Sequence, residues 1–284
     1  MGILSPEWDG RIRHWIRTLE ADFYEPLGEI EFQAFKTKDH LKYEELDREK
    51  FVPVSAGLSW GEAWEYCWFL GDILLPKKAE GERIVLDLKP SWESTLFVNG
   101  KEFGTYRAEW VAKAHHYLVD NTIAVNAKSG SSYHIAMETY AGHDYPGSGS
   151  NATGPVLPES NPFKKVKKNG DRRQLGTSTF GIWREEVYQL YMDVMTLWNL
   201  LQDLDQESLR AAKIAAALKQ FTKEVEFEQD AEGRLSDYKK AREALKGALL
   251  AKNGSTMPQF WAVGNAHIDL AWLWPVAETR RKTA

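Results

Sequence analysis

Leu96-Phe97-Val98-Asn99-Gly100-Lys101-Glu102-Phe103 is the stretch that decides the fold class. An apolar run meets Asn-Gly, a dipeptide that can take the positive φ angles of a two-residue hairpin turn, and a second strand-like segment leaves it. Outward on either side the same language continues. Arg83-Ile84-Val85-Leu86-Asp87-Leu88 and Tyr133-His134-Ile135-Ala136-Met137-Glu138-Thr139 alternate apolar with polar, and Ala63 to Leu75 is a long aromatic and aliphatic run. Several short strands with turn signals and no helices between them, from about Glu29 to Thr139, predict an antiparallel β-sandwich. Phe180-Gly181-Ile182-Trp183 reads as its closing strand.

Residues 141–179 break the pattern. Gly142-His143-Asp144-Tyr145-Pro146-Gly147 opens a loop-rich stretch, and Lys164, Lys165, Lys167 and Lys168 follow as a basic cluster that suits a solvated surface. A loop this long is often functional, and His143 and Asp144 are its candidates for reaching a ligand. His115 and His116 are adjacent, so a strand would send them to opposite faces, a poor arrangement for one metal. The single cysteine, Cys67, lies in Tyr66-Cys67-Trp68-Phe69-Leu70 and reads as a buried core thiol.

Helical spacing appears at both ends. Trp8, Ile12, Trp15, Ile16 and Leu19 follow Ser5-Pro6-Glu7, with Ser5 as N-cap. After the sandwich, Val187, Leu190, Tyr191, Val194, Leu197, Trp198, Leu201 and Leu204 keep a 3.6-residue rhythm. A second helix is expected from about Gln206 to Phe221, capped by Asp205, and a third from about Asp237 to Lys252, capped by Ser236 and closed by Asn253-Gly254. These helices form a hairpin or small bundle, and they could equally build the interface of a homo-oligomer.

With 284 residues, 43% hydrophobic and 27% charged, the composition is that of an ordinary globular chain of about two domains. A net charge of −5 gives no electrostatic footprint for nucleic acid or for an anionic membrane. Met1-Gly2-Ile3-Leu4-Ser5-Pro6 lacks the basic start and apolar core of a secretory leader, and the expected compartment is the cytoplasm. The sequons at Asn151 and Asn253 would be unused there.

Near the end comes Gln259-Phe260-Trp261-Ala262-Val263-Gly264-Asn265-Ala266-His267-Ile268-Asp269-Leu270-Ala271-Trp272-Leu273-Trp274-Pro275. Phe260 to Val263 suits a buried strand, and Gly264-Asn265 relaxes the chain toward a loop. If the backbone stays extended, residues two apart face one side, so the His267 imidazole and the Asp269 carboxylate converge, a nitrogen and an oxygen donor of the kind zinc accepts. A site of that kind ordinarily needs three protein ligands and an open position. Trp272 and Trp274 offer flat faces against which a sugar ring can pack, or serve as core.

This motif, from Gly264 through Pro275 and on through Glu278-Thr279-Arg280-Arg281-Lys282, resembles the opening of the catalytic domain in retaining α-mannosidases of glycoside hydrolase family 38. The resemblance is to the branch found in bacteria, the fungal vacuole and the animal cytosol. It implies that His267 and Asp269 are zinc ligands and that Trp272 lines the mannose subsite. The family's nucleophilic Asp and its second His would lie downstream of Ala284, so no catalytic residue is assigned within this chain. The implied architecture is multi-domain: an N-terminal helix (1–28), a β-sandwich accessory domain similar to the galactose-binding-like jelly roll (29–186), a helical linker or bundle (187–256), and the first strand of an α/β catalytic barrel (257–284). The implied partners are α-mannoside oligosaccharides and the implied cofactor is zinc, held incompletely here. A non-catalytic carbohydrate-binding module and a structural or oligomerisation fragment are the competing readings of the isolated chain.

Overall fold

The computed structural model describes residues 2–284 apart from 63–64, 91, 107–120, 143–172, 227, 253, 255–257, 266, 271–275, 277–278, 281–282 and 284. The chain divides into two compact units, residues 1–25 with 183–263 and residues 26–182 with 264–284.

The second unit contains the sandwich. Its strands are β1 (Tyr24–Glu29), β2 (Phe32–Thr37), β3 (Val52–Val54), β4 (Ser59–Trp60), β5 (Tyr66–Leu74), β6 (Ile84–Asp87), β7 (Ser94–Val98), β8 (Lys101–Tyr106), β9 (Thr122–Ala124), β10 (Ser132–Tyr140), β11 (Arg173–Gln174) and β12 (Thr179–Trp183). One sheet has the order β3-β2-β5-β10-β7-β8, the other β1-β12-β6-β9, and β11 pairs with β4. The hairpin expected at Asn99-Gly100 joins β7 to β8, with φ +52° and +77° at the two turn residues and Val98 opposite Lys101.

Strand β5 shows why the aromatic run reads as continuous rather than alternating. Cys67, Phe69 and Ile73 enter the core between the sheets, beside Ile84 and Leu86 of β6, Ile135 and Met137 of β10, and Phe180 and Ile182 of β12. Trp68 and Leu70 point the other way, into a second cluster with Leu46, Phe51, Phe97 and Ala136. That second cluster exists because residues 38–51 cross the outer face of the six-stranded sheet as a strap. Two 3₁₀ turns, Tyr43–Glu45 and Arg48–Lys50, shape it, and Tyr43 stacks on Phe97 with centroids 5.3 Å apart. At Gly71 a Cβ would fall 2.7 Å from the carbonyl oxygen of Glu31, so the close passage of the chain here requires glycine. The ends flanking residues 143–172 are tied together. Arg173 donates from Nε and Nη2 to the Ala141 carbonyl at 3.1 and 2.7 Å, and its guanidinium lies 3.5 Å from the centroid of Trp92.

The first unit holds α1 (Pro6–Asp22), α2 (Glu185–Asp203), α3 (Leu209–Glu224) and α4 (Ala231–Leu249). The lead helix, read in the sequence as a segment of its own, belongs with the three later helices, and the sandwich is inserted between them. Ile12, Trp15 and Leu19 are fully buried in α1. The Asp22 carboxylate, 3% exposed, receives Arg234 Nε and Nη2 at 2.8 and 2.9 Å and the Tyr238 hydroxyl. Phe23 packs against Trp183, Tyr188 and Tyr191.

Two caps differ from expectation. Helix α3 starts at Leu209, where Ser208 accepts from the Ala211 amide; Asp205 instead accepts from Glu207 in the preceding turn. Helix α4 starts at Ala231, with Asp230 accepting from Gly233, so it begins earlier than the Ser236 cap implied. Asn253 lies outside the described residues. The buried strand expected at Phe260–Val263 is not formed: no strand is assigned there, and Phe260, Trp261 and Val263 are 88–91% exposed. A strand needs a neighbour to satisfy its amides and cover its side chains, and none of the described strands pairs with this segment.

Candidate functional site

His267 and Asp269 come together. The His267 Nε2 and Asp269 Oδ1 atoms are 3.2 Å apart, with both side chains open to solvent. The backbone that presents them is a loop rather than a strand. It is fixed from behind by Thr279, whose hydroxyl donates within reach of the carbonyls of Asp269, at 3.2 Å, and Leu270, at 2.5 Å. Thr279 is 8% exposed and its carbonyl accepts from the Thr283 amide at 3.1 Å, an i to i+4 bond. Thr279 stands within the sequence motif, where nothing marks its role. A hydroxyl that binds ten residues back leaves no periodic trace.

The pair fits zinc in donor chemistry and in separation. Two ligands on a tetrahedral ion with bonds of about 2.0–2.1 Å sit roughly 3.3 Å apart, close to the 3.2 Å observed. The same distance is a hydrogen bond, in which the imidazole N–H donates to the carboxylate. In number the pair falls short, since the described residues contain no group of three or more His, Cys, Asp or Glu side chains placed to hold a metal. Trp272 and Trp274 lie outside the described residues, as do His115, His116, His143, Asp144, Asn151 and the lysines of 164–168.

Cys67 is the core thiol expected, 0% exposed. Its thiol faces the Trp68 carbonyl at 3.9 Å, and burial, with Glu65 nearby, pushes its pKa well above the ordinary thiol value. A thiol held protonated and sealed is neither nucleophile nor ligand. Among the described residues no helix is long and apolar enough to cross a membrane.

Comparison with known proteins finds similarity across the sandwich. Residues 26–164 match the family model described as "Alpha-mannosidase, jelly roll domain". Alpha-mannosidase 2C1 of Mus musculus is 25% identical over 256 residues, which is 90% of this chain and 23% of that protein. Its Homo sapiens counterpart is 24% identical over 96% of this chain and 26% of its own length. Alpha-mannosidase G of Dictyostelium discoideum is 21% identical over 86% of this chain and 21% of its own. The chain thus spans about a quarter of the length of these relatives. A β-glucuronidase of Faecalibacterium prausnitzii superposes with a TM-score of 0.33 at 12% identity, over 57% of this chain and 31% of that one.

Proposed function

We propose that this chain, whose residues 26–164 carry the jelly roll domain of the alpha-mannosidase family, is the N-terminal part of a zinc-dependent, retaining, cytoplasmic α-mannosidase of glycoside hydrolase family 38. The enzyme removes terminal α-D-mannose residues from oligosaccharides. Alone, the chain is inactive. The observation that carries the reading is the His267–Asp269 pair, two donors of the right kind at the right separation, in a chain similar over most of its length to alpha-mannosidases. Phe260, Trp261, Val263 and Leu270, which flank the pair in sequence, are exposed, and this is further support. Large apolar side chains left exposed mark a surface that another segment covers.

Bound zinc would act as a template and Lewis acid for the sugar hydroxyls. His267 would offer the Nε2 lone pair, its proton moving to Nδ1, and Asp269 would offer a carboxylate oxygen. Thr279 holds the backbone that keeps the two side by side. Trp272 would pack on the C–H face of the mannose ring and orient it. The nucleophilic carboxylate and the acid/base group that retention requires would come from residues beyond Ala284.

The test is hydrolysis of an aryl α-mannoside with added zinc, comparing this chain with one extended by several hundred residues. Activity is expected only in the extended chain, and there His267→Ala should lower kcat/KM by ~100-fold or more, with loss of bound zinc by elemental analysis. Turnover by the 284-residue chain itself would overturn the assignment. Mannoside binding by the short chain that survives Trp272→Ala would favour a carbohydrate-binding module instead.

A further inference from the structure

We propose that the strap over residues 38–51 is a pH-sensitive latch, closed on the outer face of the six-stranded sheet by His40 over Glu138. Glu138 lies in β10, opposite Trp68 of β5 and Thr95 of β7, and is 3% exposed. Its Oε1 is sealed from solvent and receives no hydrogen bond of good geometry, yet His40 Nε2 lies 3.3 Å away. An unsatisfied buried carboxylate oxygen is expensive, and a cation at that distance is what offsets it. His40 is set in place by its ring, which lies parallel to Tyr66 with centroids 5.1 Å apart and planes 13° apart. Tyr66 in turn packs on Tyr140 of β10.

The groups around Glu138 leave few other ways to meet its charge. The neighbouring strands bring Tyr66 and Trp68 from β5, Tyr140 from β10 itself and Thr95 from β7. Lys38, two residues before His40, pairs with Glu62 at 3.6 Å. Among the described residues the one ion pair that Glu138 makes is with His40. The far end of the strap has the opposite requirement. Arg48 Nη1 lies 3.4 Å from His134 Nε2, while His134 Nδ1 faces Asp72 at 2.9 Å. Arg48 has only protons to offer, so this bond needs a neutral imidazole with its Nδ1–H directed to Asp72.

The sign follows from which form each end needs. The His40 end is complete while the imidazole carries its proton, so its contribution is fully present below the unfolded histidine value of about 6.5 and is lost as pH rises above it. At higher pH the neutral imidazole can offer Glu138 only an uncharged Nε2–H, a weaker partner for a buried carboxylate, so opening of the strap, which lets water reach Glu138, becomes easier.

Hydrogen–deuterium exchange of the intact chain, with peptides covering 38–46 followed from pH 5.5 to 8 and corrected for intrinsic exchange rates, tests the latch. The local opening equilibrium should rise roughly tenfold over that interval, the order separating a charge-assisted from a neutral hydrogen bond. His40→Gln should remove the pH dependence, and so should Glu138→Gln, which leaves no buried charge to neutralise and reports even if the first variant folds poorly. A flat profile in the unaltered chain, or a slope that persists in Glu138→Gln, overturns the proposal.

Discussion

Asp22 is a carboxylate at the end of α1 whose oxygens are taken by Arg234 and Tyr238, more than two hundred residues away in sequence. Removing one partner of so buried a pair strands the other, so Asp22→Ala should cost about 3 kcal/mol, read as a lowered urea midpoint with unchanged m-value. Tyr191 makes a complementary prediction. Burial, with the charge and hydrogen bond of Glu20, pushes its phenol up to about 12, above the unfolded value of about 10. The folded state therefore keeps a proton that the unfolded state gives up, and stability falls as pH rises between those two values. Urea midpoints measured from pH 9 to 11 should decline, and Tyr191→Phe should flatten part of that decline. At this scale the candidate site was partly legible. His267 and Asp269 are two apart and their side chains lie 3.2 Å from each other, but on a loop, where the alternation of an extended backbone does not apply. Thr279 and the Arg234 partnership with Asp22 were not legible, because hydrogen bonds between distant residues have no period.

Among elements, the strands were easier to read than the helix starts. Asn99-Gly100 has positive φ at both residues, a backbone few other dipeptides accept, so composition determines the turn. The start of α3 has two competing polar residues three apart. Asp205 binds the Glu207 amide and Ser208 binds the Ala211 amide, and only the second is the helix cap. Ser208→Ala should cost about 1 kcal/mol, and Asp205→Ala distinctly less; chemical denaturation of the two variants side by side checks this. The true start of α4 was hidden by Gly233, a poor helix former, although Asp230 caps that very amide. The Phe260–Val263 strand failed for a different reason. Its residues suit a strand, but a strand is a property of pairs, and none of the described strands lies beside it.

On the scale of the whole molecule, sequence order and compact units do not coincide. Residues 1–25 and 183–263 form one unit, and residues 26–182, which separate them in sequence, form the other with 264–284. Periodicity recovers the helices and several of the strands but cannot say that the first helix joins the last three, since partnership across such an insertion is written in packing alone. Residues 183–263 produced without the first 25 should therefore be loosened, and adding α1 as a separate peptide should restore ellipticity and cooperative melting, as followed by circular dichroism. The same insertion bears on how the chain is made. A ribosome that has released α1, with Ile12, Trp15 and Leu19 destined for full burial, must still translate the jelly roll before α2 appears at Glu185. At ~5–20 residues per second that is a delay on the order of ten seconds, during which the nascent amphipathic helix is a natural target for a chaperone, while the sandwich behind it can finish folding first.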